Sequence, residues 1–98
     1  MKTDLAKIKK TLNQHKSLLK DFYGVKGIGI FGSVATNTNK ENSDIDMLVE
    51  FSTPVGFFKF IELEETLTKM LGKKVDLVTK KALKPAIKED ILQETIYV

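Results

Sequence analysis

The reading of the fold turns on GIGIFGS, residues 27–33, and DIDMLVEF, residues 44–51, followed downstream by KKVDLVT, residues 73–79. Each has a β-branched or aromatic interior bounded by glycine or polar residues, the pattern of short buried strands. Residues 27–32 read as a strand closing at a glycine. Residues 44–51 alternate at first and then become mostly apolar, as expected of a strand covered on both faces but polar where it begins. Residues 73–79 supply a third strand.

Around these strands the apolar period lengthens to that of a helix. Leu5, Ile8, Leu12, Leu18, Leu19 and Phe22 recur close to every 3.6 residues with lysines between them, predicting one amphipathic helix over about residues 3–21, ended near Gly24. Thr36 to Ser43, rich in Asn, Thr and Lys, reads as a loop, with room for one helical turn ahead of it. Ser52, Thr53 and Pro54 provide helix-start chemistry. Phe57, Phe58, Phe60, Ile61, Leu63, Leu67, Met70 and Leu71 then mark a helix stopped by Gly72. Pro85 opens a last helix carrying Ile87, Ile91 and Leu92. The order α-β-β-α-β-α predicts an α/β (α+β) fold, a small mixed sheet flanked by helices in a single domain over residues 1–98. Phe57, Phe58 and Phe60 are expected mainly in the core, and Glu62, Glu64 and Glu65 on a solvated helix face.

Composition narrows the function. A chain of 98 residues can build only a thin core, so an apolar face left over would call for a partner, either another copy or a different chain. The absence of cysteine excludes disulfides, thiolate metal sites and cysteine nucleophiles and fits a reducing compartment. The N-terminal residues carry charges every few positions, unlike a secretory signal, and no run reaches the roughly 20 apolar residues of a membrane span. The cytoplasm is the expected location. The net charge of +3 comes from sixteen lysines, with no arginine, spread from Lys2 to Lys88. Ammonium groups without a dense cluster or guanidinium forks favour a solvated surface over direct nucleic-acid binding.

The chemistry lies at the strand ends. Asp44 and Asp46 are two residues apart, so in a strand both carboxylates leave the same face, roughly 6.5 Å apart along the chain, while Ile45 points into the core. Like charges this close are costly without a cation, and carboxylates suit Mg²⁺ or Mn²⁺. Asp76 interrupts the apolar run Val75-Asp-Leu-Val78, where a carboxylate merely facing the interior would be expensive. On a neighbouring strand about 4.8 Å away it would complete a three-carboxylate cluster able to hold two ions about 3.5–4 Å apart for phosphoryl displacement. Asp76 would then be the base nearest an attacking hydroxyl. At Gly32-Ser33 the backbone can approach a ligand closely, and freed N–H groups with the serine hydroxyl can hold phosphate oxygens.

The same residues admit blander readings. Gly27, Gly29 and Gly32 match G-x-G-x-x-G, but a dinucleotide site needs the glycines after a strand, whereas Ile28, Ile30 and Phe31 make this segment the strand itself. Asp44 and Asp46 could be a solvated turn pair, and Asp76 an edge residue beside Lys73 or Lys74. His15, with no second imidazole in the chain, reads as solvated.

The run GIFGSVATNTNKENSDIDMLVEF followed by KKVDLVT resembles the nucleotidyltransferase signature: a GS dipeptide, a DxD pair on the next strand, then a third carboxylate strand. The ending ALKPAIKEDILQETIYV is similar to that of the minimal nucleotidyltransferases of prokaryotes, so the resemblance covers nearly the whole chain. It implies the DNA polymerase β type of fold, ATP and Mg²⁺, and transfer of AMP to a hydroxyl with release of pyrophosphate. On this resemblance Asp44, Asp46 and Asp76 are the metal ligands and Gly32 and Ser33 the nucleotide-binding turn. It also implies a HEPN-domain protein as partner, in some pairs an RNase toxin that the nucleotidyltransferase adenylylates on tyrosine as its antitoxin. Many members read GSRARG where this chain has Val34, Thr36 and Asn37, a departure bearing on nucleotide grip and rate rather than on the metal ligands.

Overall fold

The computed structural model describes residues 5–36 and 44–98. Its sheet has the strand order β3-β2-β1-β4, with β1 Val25–Phe31, β2 Ile45–Phe51, β3 Val75–Thr79 and β4 Ile96–Tyr97. β1 runs antiparallel to both β2 and β4, and β2 runs parallel to β3, so the sheet is mixed as expected. The helices are α1 Leu5–Gln14, α2 Lys16–Asp21, α3 Gly32–Ala35, α4 Phe57–Leu71 and α5 Pro85–Glu94, with a 3₁₀ turn at Lys80–Ala82.

One sheet face makes the core. Ile28 and Ile30 of β1, Ile45, Met47 and Val49 of β2, and Val75 and Leu77 of β3 are all buried, in a cluster with Ile8, Leu12 and Leu19 from α1 and α2 and Leu63 and Leu67 from α4. Because strand side chains alternate, Asp46 and Asp76 lie on the other face. The apolar period of α4 explains its packing, and Gly72 ends it in the left-handed region at φ 72°, returning its N–H to the Thr68 carbonyl.

Several expectations are corrected. The predicted first helix is two helices, because at His15 the backbone leaves helical geometry (φ −109°, ψ 16°). His15 is half-buried rather than solvated, with Nδ1 2.9 Å from the Thr11 carbonyl oxygen. The single helical turn allowed for before the loop is α3, whereas the predicted element order lacks β4, which pairs Ile96 and Tyr97 with Ile30 and Gly29. Two residues carry too little periodicity to announce a strand, and β4 forms because β1 offers it an edge. Phe57 and Phe58 are 71% and 86% exposed instead of core, stacked edge to face at 5.8 Å, while Phe60 packs against the core. Of the predicted loop Thr36 to Ser43, residues 37–43, with Asn37 and Ser43, lie outside the described residues.

Glu64 also departs from a solvated reading. Its Oε2 accepts the Leu77 N–H at 2.9 Å, and Thr68 Oγ1 accepts the Val75 N–H at 3.1 Å. β3 is an edge strand, and α4 thereby supplies partners for two of its backbone donors, on either side of Asp76. Tyr23 adds a tie from the first helical layer, its hydroxyl 2.8 Å from Thr66 Oγ1.

Candidate active site

Two strands bring the carboxylates together, and a third brings the glycine turn beside them. In the parallel ladder Asp46 is the partner of Asp76, and in the antiparallel ladder Asp46 is the partner of Phe31, the residue before Gly32. Asp44 stands just ahead of β2, where the Ile45 N–H bonds the Lys74 carbonyl and fixes the start of the strand beside β3. The sequence motifs separated by up to 44 residues therefore meet at one end of the sheet.

Gly32 turns the chain from β1 into α3 at φ 73°. A Cβ there would collide with the Asp46 carboxylate, whose Oδ2 occupies the space a side chain would fill. Two demands thus converge on glycine, a backbone conformation that other residues adopt at a cost and a close approach by Asp46. Ser33 follows as the second residue of α3, and Val34 buries its side chain in the core.

The electrostatics are those of crowded anions. Partial burial holds the Asp46 carboxyl above its ordinary value, and the charges of Asp76, then Asp44, then Glu94 push it in the same direction. Asp44 is exposed and forms a long ion pair with Lys74 Nζ at 3.9 Å. Among the described residues, no three His, Cys, Asp or Glu side chains form a ready-made ligand set. The donors are nevertheless hard oxygens in mutual repulsion, which a divalent cation would relieve, so their chemistry fits such an ion.

Glu94, the last residue of α5, has no place in the sequence motifs. Its Oε1 accepts the Gly32 N–H at 2.9 Å, across 62 residues. No local pattern could have revealed it, since the contact depends on β4 carrying the end of the chain back alongside β1.

Residues 8–98 match the nucleotidyltransferase domain family. The chain belongs to this family. Among curated relatives of this nucleotidyltransferase, the protein adenylyltransferase MntA of Thermococcus cleftensis is 46% identical over 94 residues, covering 96% of this chain and 95% of that protein. A Methanocaldococcus jannaschii protein provisionally named a protein adenylyltransferase is 52% identical over 99 residues, with both chains covered in full. A solved structure described provisionally as a minimal nucleotidyltransferase superposes with a TM-score of 0.74 at 32% identity, covering 93% of this chain and 88% of the other. A toxin–antitoxin complex crystallised with AMP-PNP contains a chain similar at a TM-score of 0.72 and 27% identity, covering 87% and 69%. The nucleotidyltransferase is therefore a transferase of the minimal type with the expected fold.

Proposed function

We propose that this nucleotidyltransferase is a protein adenylyltransferase that moves AMP from ATP to a hydroxyl group, on a tyrosine of a HEPN-domain toxin, and serves as the antitoxin of that pair. The observation that carries the reading is the Asp46–Asp76 register beside the Gly32 turn: two carboxylates on adjacent strands next to a glycine that leaves room for a ligand. Its relatives named as protein adenylyltransferases support the reaction. The likeness to a toxin–antitoxin chain supports the partner. A reducing, cytoplasmic setting fits a chain with no cysteine.

In this reading the Gly32–Ser33 turn holds the nucleotide phosphates, with the Ser33 hydroxyl as donor and Gly32 giving close backbone approach while its N–H stays with Glu94, and Asp44, Asp46 and Asp76 are the ligands for Mg²⁺, with two ions in the loaded enzyme and Mn²⁺ as a substitute. Magnesium would supply charge neutralisation at the phosphates and acidify the attacking hydroxyl. The acceptor oxygen attacks the α-phosphorus, the bond from that phosphorus to the bridging oxygen of the β-phosphate breaks, and pyrophosphate leaves. Asp76, the most exposed of the strand-borne pair, takes the hydroxyl proton. Asp44 must release Lys74 to join the ligand set.

A second reading, neutralisation of the same partner by occlusion alone, is favoured by one feature: Val34, Ala35 and Thr36 provide no basic group after Ser33, and Val34 is committed to the core. Mass spectrometry of a co-expressed HEPN-domain neighbour separates the two. AMP-sized additions on tyrosine, lost with the Asp44→Asn/Asp46→Asn double variant, are expected. A stable complex without any mass shift would replace transfer by occlusion.

A further inference from the structure

Glu94 is placed where a carboxylate is costly for the fold. It ends α5, where the helix dipole disfavours negative charge, and it adds to the repulsion on Asp46. A neutral side chain would avoid both penalties. What the carboxylate gains is a charge-assisted bond to the Gly32 N–H, stronger than a neutral acceptor would make.

That N–H belongs to the residue against which Asp46 is seated. Asp46 lies in the notch left by the missing Cβ of Gly32, and Glu94 holds the backbone nitrogen of the same residue. Asp46 is repelled by its neighbours and would turn away if the notch shifted. The end of α5 is in turn anchored: the Thr95 hydroxyl donates to the Ile91 carbonyl at 2.6 Å, Ile96 and Tyr97 pair with β1, and the Val98 N–H bonds the Ile28 carbonyl. The chain's last residues are therefore tied mechanically to the catalytic carboxylate.

We propose that Glu94 is a positioning residue for adenylyl transfer, which fixes the seat of Asp46 by holding the Gly32 N–H; this rests on the adenylyl-transfer reading above. The role depends on reach and on an acceptor oxygen at the right place, which sets three substitutions apart. Glu94→Gln keeps the reach and the acceptor, Glu94→Asp keeps the charge but is one methylene short, and Glu94→Ala keeps neither.

The test measures the transfer rate and nucleotide KM of the full chain with its acceptor, alongside the Gly32 amide signal in glycine-labelled protein by NMR. For Glu94→Ala and Glu94→Asp, kcat should fall on the order of 10- to 100-fold, with KM moved far less. Glu94→Gln should recover most of the rate. The Gly32 amide should stay protected from exchange in Glu94→Gln and lose protection in Glu94→Ala. An Asp variant as active as the Gln variant would show that the reach of the side chain does not matter and overturn the proposal, as would an unchanged Gly32 amide in Glu94→Ala. Absence of transfer by the wild-type protein would overturn the adenylyl-transfer reading itself, and the positioning role with it.

Discussion

The Asp46 carboxylate occupies the space that a side chain on Gly32 would need. A methyl group at Gly32 would meet both this contact and a left-handed backbone at φ 73°. Gly32→Ala should therefore lose on the order of 1–3 kcal/mol of stability from the backbone alone. Transfer activity should fall much further, because the displaced group is the central carboxylate. Urea unfolding and the transfer assay on the same preparation check this, and wild-type activity in Gly32→Ala would remove the notch from the mechanism.

Asp46 itself should trade stability for function. Its carboxyl titrates above the ordinary 3.8 in the folded state, so the folded protein binds its proton more tightly than the unfolded chain does. Stability from this group is thus greatest at low pH, declines as pH rises from 3.8 through the folded value, and stays reduced at neutral pH. Asp46→Asn removes that decline. In chelator-treated protein, Asp46→Asn should unfold at a higher urea concentration than wild type at pH 7, with the gap closing as pH falls, while transfer activity is lost. A variant less stable than wild type at pH 7 would mean that Asp46 contributes more through its contacts than it costs through its charge.

If Asp44 belongs to the proposed ligand set, Lys74 competes with the cation for it. The ion pair is long at 3.9 Å and its lysine is largely exposed, so it is worth no more than about 1 kcal/mol. Lys74→Met should lower the Mg²⁺ concentration giving half of the thermal stabilisation by up to roughly fivefold. The metal alone is sufficient for this titration, with the melting temperature as readout. No change would place Asp44 outside the ligand set.

How far the site could be read from sequence follows from which links are local. The strand cores, the spacing of Asp44 and Asp46 and the apolar interruption at Asp76 are local patterns, and the sheet sets these residues at one end as the motifs require. The break at His15, the pairing of β4 with β1 and the Glu94–Gly32 bond depend on partners far along the chain. The exposure of Phe57 and Phe58 is hidden from sequence for a related reason. They continue the apolar period of α4, but the helix meets the sheet only from Phe60 onward, which leaves its first turn in solvent.

That exposure predicts an unusual mutational response. Burial would make each phenylalanine worth about 3–5 kcal/mol on truncation. At 86% exposure, Phe58→Ser should leave stability within about 0.5 kcal/mol of wild type. Denaturant midpoints test this directly, and a loss above about 2 kcal/mol would return Phe58 to the core.

Asp76 is held by helix α4 as well as by its own strand. Glu64 and Thr68 accept the N–H groups of Leu77 and Val75, the residues on either side of it, and so restrain an edge strand that has a sheet neighbour on one side only. Removing the Glu64 carboxylate leaves the N–H of buried Leu77 without that partner, at a cost on the order of 1–3 kcal/mol. Glu64→Gln, which retains an acceptor oxygen, should lose less than Glu64→Ala. If β3 then frays, the Val75 and Leu77 amides should exchange with solvent faster in Glu64→Ala than in wild type, and transfer should slow although no residue of the proposed catalytic set has been altered. Slowed transfer with unchanged exchange at both amides would show that Glu64 acts on the reaction by some route other than fixing β3, whereas faster exchange with full activity would mean that Asp76 tolerates a loose strand and is not the base.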